Sequence, residues 1–301
     1  MTNLIIVVIF LVVGIGLQFV RQVPFSTAQY LNKYLIYVVL PILALKYIPE
    51  IELELSLLWP ISIAWISFGL SWLLFGTLGK QLNWKKSLTG CLIITAGLAN
   101  TSFVGFPIVR ALYGEEALKI ALLIDQAGSF ILVSSVAIVV ASIYSDEKKR
   151  KRDITRKILT FPPFIFFIIA FMLNFSGFQF SAGISAVFDL VTKTLTPVAL
   201  IAVGLQIKVN GNAIRSKYLW LGLGYKLVLI PAVIFVLFGF IFRLDDFVFK
   251  VSVIETAMAP MITGSIIAIS HNLEPKLASL LVGLGIPLSF VTIGIWYFIL
   301  G

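Results

Sequence analysis

The chain has 301 residues, 59% of them hydrophobic and 12% charged, with a formal net charge of +9 and a mean hydropathy of +1.04. Soluble domains carry about a quarter charged residues, so this balance excludes a soluble globular protein and indicates a polytopic membrane protein. In that setting the positive balance reports loop topology rather than nucleic-acid binding. The single cysteine and single histidine exclude a disulfide framework and a His- or Cys-rich metal site.

At roughly 20 apolar residues per crossing, the sequence predicts ten spans. They are 3–20, 31–48, 56–79, 88–112, 116–144, 158–176, 185–208, 216–242, 247–270 and 275–299. The first lacks a basic leader and a small-residue cleavage site and reads as a retained span. The fifth is long enough to require tilt or extension into solvent. Alternate loops divide Lys and Arg sixteen to five. This bias predicts a multi-pass protein of the cell (plasma or inner) membrane with both termini extracytoplasmic. The run Asp146 to Arg152 is then the main cytoplasmic connection, a topology determinant within a basic loop at 145–157.

That loop separates residues 1–144 from 158–301, five predicted spans on each side, and an odd number obliges the second half to enter the membrane inverted. Weak self-similarity agrees. Pro41-Ile-Leu-Ala-Leu is answered by Pro197-Val-Ala-Leu-Ile, and Leu58-Trp59 by Leu219-Trp220. Pro107 in the fourth span has its counterpart in Pro260 of the ninth.

The fourth span contains Gly97, Asn100, Thr101, Ser102, Gly105 and Pro107 within one apolar stretch. Glycine and proline weaken a helix, and hydrocarbon offers no water to the freed backbone groups. Such an interruption persists only when buried in protein or lining a wet cavity, which is how carriers build substrate sites. The same residues also allow a proline-kinked helix whose Asn100 merely bonds a neighbour. Two interrupted spans at matching places in inverted halves favour the carrier site.

Counting inward at about 1.5 Å per residue places Asn100, Asp125, Lys226 and Glu255 near the midplane of a ~30 Å core. Intramembrane ionisable groups are expensive and point to function, although a buried ion pair that fixes helix packing is the alternative. Two acids against one base leave one negative charge to be met by a proton or a cation. Proton or sodium coupling, the sodium near Asn100 and Glu255, is therefore chemically open. Asp189 and Lys193, spaced i,i+4, suit a helical salt bridge. His271 reads as an interfacial polar residue, Cys91 as a small hydrophobe, and the tryptophans mostly as interface anchors or lipid-facing bulk.

The stretch Gly97-Leu-Ala-Asn-Thr-Ser-Phe-Val-Gly-Phe-Pro-Ile resembles the signature of the auxin efflux carrier (PIN-like) family. That family lies within the bile acid/arsenite/riboflavin transporter superfamily. Leu-Pro-Ile-Leu around Pro41, Tyr113-Gly-Glu-Glu-Ala followed by Asp125, Thr196-Pro-Val-Ala-Leu, Lys226 before Pro231, and Ala257-Met-Ala-Pro are similar to its other landmarks. The resemblance implies an all-α membrane protein of ten helices in two inverted five-helix repeats, with broken helices 4 and 9 crossing, as in sodium/proton antiporters and bile acid transporters. It implies a moving transport domain of spans 3–5 and 8–10 against a scaffold of spans 1, 2, 6 and 7 that often dimerises. It further implies an organic-anion substrate (auxin, malate or malonate) bound at the crossover. The long central loop of plant members is absent, and Thr263, Gly264 and Ser265 stand where a polar asparagine is expected after Pro260.

The leading expectation is thus a secondary carrier of a small organic anion by elevator-type alternating access. Asn100, Thr101, Ser102, Thr263 and Ser265 would contact substrate, Pro107 and Pro260 would hold the breaks open, and Asp125, Lys226 and Glu255 would balance charge or take a coupling ion. A cation/proton exchanger without organic substrate is the second reading, and a channel or receptor the third. No metalloprotease His-Glu-x-x-His, nucleotide-binding glycine loop or nucleophile–base pair indicates an enzyme.

Overall fold

A computed structural model describes residues 2–24, 26–52, 54–145, 161–207 and 216–301. The basic connection at 145–157 lies, apart from Ser145, outside the described residues. The described chain is helical: α1 (Thr2–Leu17), α2 (Thr27–Glu50), α3 (Leu55–Gln81), α4 (Lys86–Gly97), α5 (Phe106–Tyr113), α6 (Glu116–Tyr144), α7 (Pro162–Phe175), α8 (Ala182–Gln206), α9 (Lys217–Ile241), α10 (Asp246–Thr256), α11 (Ile262–Ser270) and α12 (Pro275–Leu300). Helix is the form that lets so apolar a chain satisfy its backbone internally. Six of these helices (α2, α3, α6, α8, α9 and α12) are long and apolar enough to cross a membrane, and α1 and α7 are shorter apolar helices.

Helix ends follow local chemistry. Asp245 caps α10, its carboxylate accepting from the N–H groups of Phe247 at 2.9 Å and Val248 at 3.3 Å. Gly114, at φ +84°, closes α5, and Pro275 opens α12. Within the helices, wide π turns occur at Leu35–Val39, Thr101–Gly105 and Tyr225–Leu229. Each ends two residues before a proline, at Pro41, Pro107 and Pro231. A proline supplies no N–H and its ring crowds the carbonyl four residues back, and a locally widened turn relieves both. A further π turn, Ile124–Phe130, lies in α6 and carries Asp125.

Contacts gather the turns at two ends. At one, Lys119 pairs with Glu50 at 3.4 Å, Asn174 Nδ2 donates to the carbonyls of Ile48 and Ile51, and the Tyr113 ring meets those of Phe247 and Tyr297. At the other, Gln18 donates to the carbonyls of Gly204 and Ile207, Ser87 to Glu274, and Trp84 packs on Tyr218. The first end carries Glu50, Glu52, Glu115, Glu116, Asp245 and Asp246, and the second Arg21, Lys80, Lys85, Lys86 and Lys276. They are called the acidic and the basic end below.

Several side chains sit elsewhere than the sequence suggests. Asp189 pairs with Lys46 of α2 at 2.7 Å rather than with Lys193, because a partner on a packed neighbour can close end-on. Trp296 is buried in α12 with its indole N–H on the Leu227 carbonyl, and Trp59 packs on Phe238 and Phe242. Trp296 is thus no interface anchor, whereas Trp59 is partly buried and Trp65 and Trp220 stay half-exposed. His271 is buried, donating from Nδ1 to the Ile267 carbonyl at 2.9 Å while Nε2 has no partner among the described residues. Cys91 is fully buried, as a small hydrophobe would be.

Candidate functional site: a crossover of two interrupted helices

Between α4 and α5 the chain leaves helical geometry at Leu98, Ala99 and Asn100, and between α10 and α11 at Met258 to Met261. The two breaks meet. Ala99 and Pro260 form an isolated antiparallel bridge, in which the Asn100 N–H donates to the Ala259 carbonyl at 2.8 Å and the Met261 N–H to the Leu98 carbonyl at 3.1 Å. Ala99 and Pro260 are therefore the pair that exchanges no hydrogen bonds, so the missing N–H of Pro260 is not felt. The crossover is held by backbone bonds that each broken strand supplies to the other.

Pro260 lies inside its break. Pro107 does not: it sits in the first turn of α5, after the wide turn Thr101–Gly105. The first interruption is thus fixed by pairing with residues 259–261, and Pro107 widens the turn that follows. In that turn the Gly105 N–H donates to the Asn100 carbonyl at 3.0 Å.

Polar side chains converge here. Asn100, Thr101, Ser102, Asp125, Lys226 and Glu255 are all buried. Thr101 Oγ1 donates to Asp125 Oδ1 at 2.5 Å, and Gln126 Nε2 to Asp125 Oδ2 at 2.7 Å, so this carboxylate is bonded through both oxygens. Glu255 is not: among the described residues both its oxygens are buried without a hydrogen-bond partner, as are Lys226 Nζ, Asn100 Nδ2 and Ser252 Oγ. The Glu255 carboxylate lies against Gly105, where a Cβ would fall 2.5 Å from Oε2. Gly105 is thus the residue that lets the acid approach the first turn of a half-helix, whose partial positive charge favours an anion. Thr101, Ser129, Lys226 and Glu255 line a small cavity of about 10 Å³, room for about one water.

Thr263 and Ser265 are not part of this cluster. Thr263 is exposed, and Ser265 opens on a separate crevice of about 690 Å³. Gln29 of α2, Gln206 of α8, and Lys276 and Ser279 of α12 also line that crevice. Two participants were missed from the sequence, although both carried a signal. Gln126 adjoins Asp125 in an otherwise apolar span, and Ser129, which lines the cavity, follows Asp125 by four residues on one helical face. Among the described residues no group of three or more His, Cys, Asp or Glu side chains converges as a metal site would.

The architecture agrees with what comparison finds. The family model described as membrane transport protein matches residues 1–297. An uncharacterized transporter of Methanocaldococcus jannaschii is 25% identical over 232 residues, covering 74% of this chain and 72% of its own. One of Methanothermobacter thermautotrophicus is 23% identical over 210 residues, covering 69% and 67%. With nearly the whole chain matched, this protein belongs to the membrane transport protein family, that of the auxin efflux carriers, and is a multi-pass membrane transporter rather than an enzyme.

Proposed function

We propose that the protein is a secondary carrier of a small organic anion (a dicarboxylate such as malate or malonate, or an auxin-like acid), working in the cell membrane by elevator-type alternating access. The observation that carries the reading is the paired break. Two interrupted helices, one from each half of the chain, bond to each other beside buried polar groups that the protein leaves unpaired. In this reading α4 with α5, and α10 with α11, each make one crossing, giving ten crossings in two inverted sets of five with both termini extracytoplasmic.

Packing supports a division into two groups. α1 and α2 pack on α8, and α2 on α7, forming a scaffold with a lipid-exposed face suited to a homodimer. α3, α4, α6, α9, α11 and α12 pack chiefly on one another, with α5 and α10 completing a transport group. α8 lies against the turn Thr101–Gly105, so Asn100, Thr101 and Ser102 stand where the groups meet. Ser265 lies along the crevice that leads in from the basic end, and we assign it to the entry path. Pro107 and Pro260 shape the two half-helices. The 10 Å³ cavity is too small for a carboxylic acid, so substrate binding requires the groups to shift.

Asp125, Lys226 and Glu255 supply two carboxylates and one ammonium. A hard cation seeks several oxygens, and here Lys226 lines the same small cavity as Glu255. These residues fit a proton or a water better than a sodium ion. Buried acid with no partner also gives the second reading, a cation/proton exchanger, its specific support.

Uptake of labelled malate, malonate and indole acids into proteoliposomes, with and without imposed proton or sodium gradients, tests the proposal. Saturable uptake that is lost in Asn100→Ala is the expected result. No uptake of any carboxylate, with gradient-driven pH change in liposomes containing only salts, would transfer the assignment to the exchanger.

A further inference from the structure

The scaffold and transport groups are joined unequally at their two ends. At the basic end they are parted by the 690 Å³ crevice between α2 and α8 on one side and α11 and α12 on the other. At the acidic end they are tied by a continuous polar chain. Asp189 of α8 pairs with Lys46 of α2 at 2.7 Å, and Lys46 Nζ donates to the Tyr47 hydroxyl at 3.1 Å. That hydroxyl donates across the boundary to the carboxylate of Glu115, which also pairs with Arg110 of α5. Arg110 Nη1 then crosses back, donating at 2.9 Å to the carbonyl of Thr192. That carbonyl stands at the joint between the segments Ala182–Lys193 and Leu195–Gln206 of α8, where a helix leaves acceptors open. A separate ion pair, Lys119 with Glu50 at 3.4 Å, crosses the same boundary. The five ion pairs found among the described residues all lie at this end.

We infer that Tyr47, Glu115 and Arg110 form a latch that holds the acidic end shut while the basic end is open, and that parting this latch is the step that lets the transport group move. Glu115 is its keystone, because its one carboxylate receives both the scaffold hydroxyl and the transport-group guanidinium. Tyr47 is buried while Glu115 is about half exposed, so water can reach the latch from its own end and replace its bonds as it opens. Charged hydrogen bonds at a rim are strong enough to bias two packed states and weak enough to be exchanged. The inference rests on the alternating-access reading but not on the identity of the substrate.

Accessibility at both ends tests it. In a Cys91→Ala background, Thr192→Cys reports on the acidic end beneath Arg110, and Ser279→Cys reports on the crevice. Each is labelled with a polar maleimide in nanodiscs, where both faces are reachable. With the latch intact, Ser279→Cys should react fast and Thr192→Cys slowly. Adding Glu115→Gln should speed the Thr192→Cys reaction and slow that of Ser279→Cys by about fivefold or more, the lower range of a coupling between two states. Tyr47→Phe, which removes one hydroxyl from an otherwise unchanged ring, should act in the same direction. Faster labelling at Thr192→Cys without slowing at Ser279→Cys would mean local loosening only and overturn the latch, as would no change in either variant while both remain folded by size exclusion. Because no substrate is added, a failure of uptake would count against the carrier assignment and leave this result standing.

Discussion

The indole N–H of Trp296 donates at 3.1 Å to the carbonyl of Leu227, the carbonyl that Pro231 leaves without its helical donor four residues on. The proline and the tryptophan are thus two halves of one solution. Pro231 widens the turn that carries Lys226, and Trp296 of α12 satisfies the acceptor that the widening exposes. A buried carbonyl stripped of its partner costs about 1–3 kcal/mol. Trp296→Phe keeps most of the ring volume and removes the donor, and should lower thermal stability by that order. Measured by size exclusion after heating, an unchanged midpoint would show that another group had taken the carbonyl.

Gly14 and Gly204 bring α1 and α8 into backbone contact: a Cβ on Gly204 would lie 2.6 Å from the Leu11 carbonyl oxygen, and one on Gly14 would lie 2.5 Å from that of Ile201. Small residues at such crossings let helices in lipid associate by dispersion alone. Gly204→Ala should therefore destabilise by about 1–3 kcal/mol, the range for overpacking. Gly16→Ala on α1, where nothing lies within 4 Å, should be neutral or slightly stabilising. Equal melting shifts for the two would refute the close packing of this pair.

How much of this could be read from residues alone depended on whether the cause was local. Six of the spans were legible because a run of about 20 apolar residues reports its own environment, and α6 begins and ends where the sequence places it. The interrupted helices were legible from Pro260 and the polar run at Asn100, but the position of the first break was not. Leu98-Ala-Asn100 contains no breaker, and its extended form is imposed by residues more than a hundred positions away. Asp189 was misassigned for the same reason, since i,i+4 spacing announces itself whereas Lys46 becomes a neighbour only after packing. Trp296 read as surface bulk because nothing near it in sequence shows the bare carbonyl it serves.

Among the described residues Asn100 Nδ2 has no hydrogen-bond partner, whereas Thr101 Oγ1 donates to Asp125. The two neighbours should therefore part company on mutation. Asn100→Ala forfeits no bond from that nitrogen and should cost less stability than Thr101→Ala while abolishing uptake. Thr101→Ala strips a donor from a buried carboxylate and should lose about 1–3 kcal/mol of stability as well. Melting and uptake measured on the same preparations separate these outcomes, and destabilisation of equal size in both would show Asn100 to be a packing residue.

Lys226 and Glu255 provide the sharpest test of the buried charges. Neither has a hydrogen-bond partner among the described residues, and both line the small cavity beside the crossover. If they compensate one another across that space, removing either leaves a charge with no counterpart, a loss of about 3–5 kcal/mol. Removing both should be far milder than the sum of the single changes. Lys226→Met and Glu255→Gln should each lower the melting temperature sharply, and the double variant should recover much of it, a coupling well above the ~0.5 kcal/mol within which independent sites add. Strict additivity would mean that the two charges do not see each other, and the pair could no longer be offered as the place where a proton is exchanged. A recovered double variant that has lost gradient-driven transport would tie the same two residues to coupling, since its folding would no longer explain the loss.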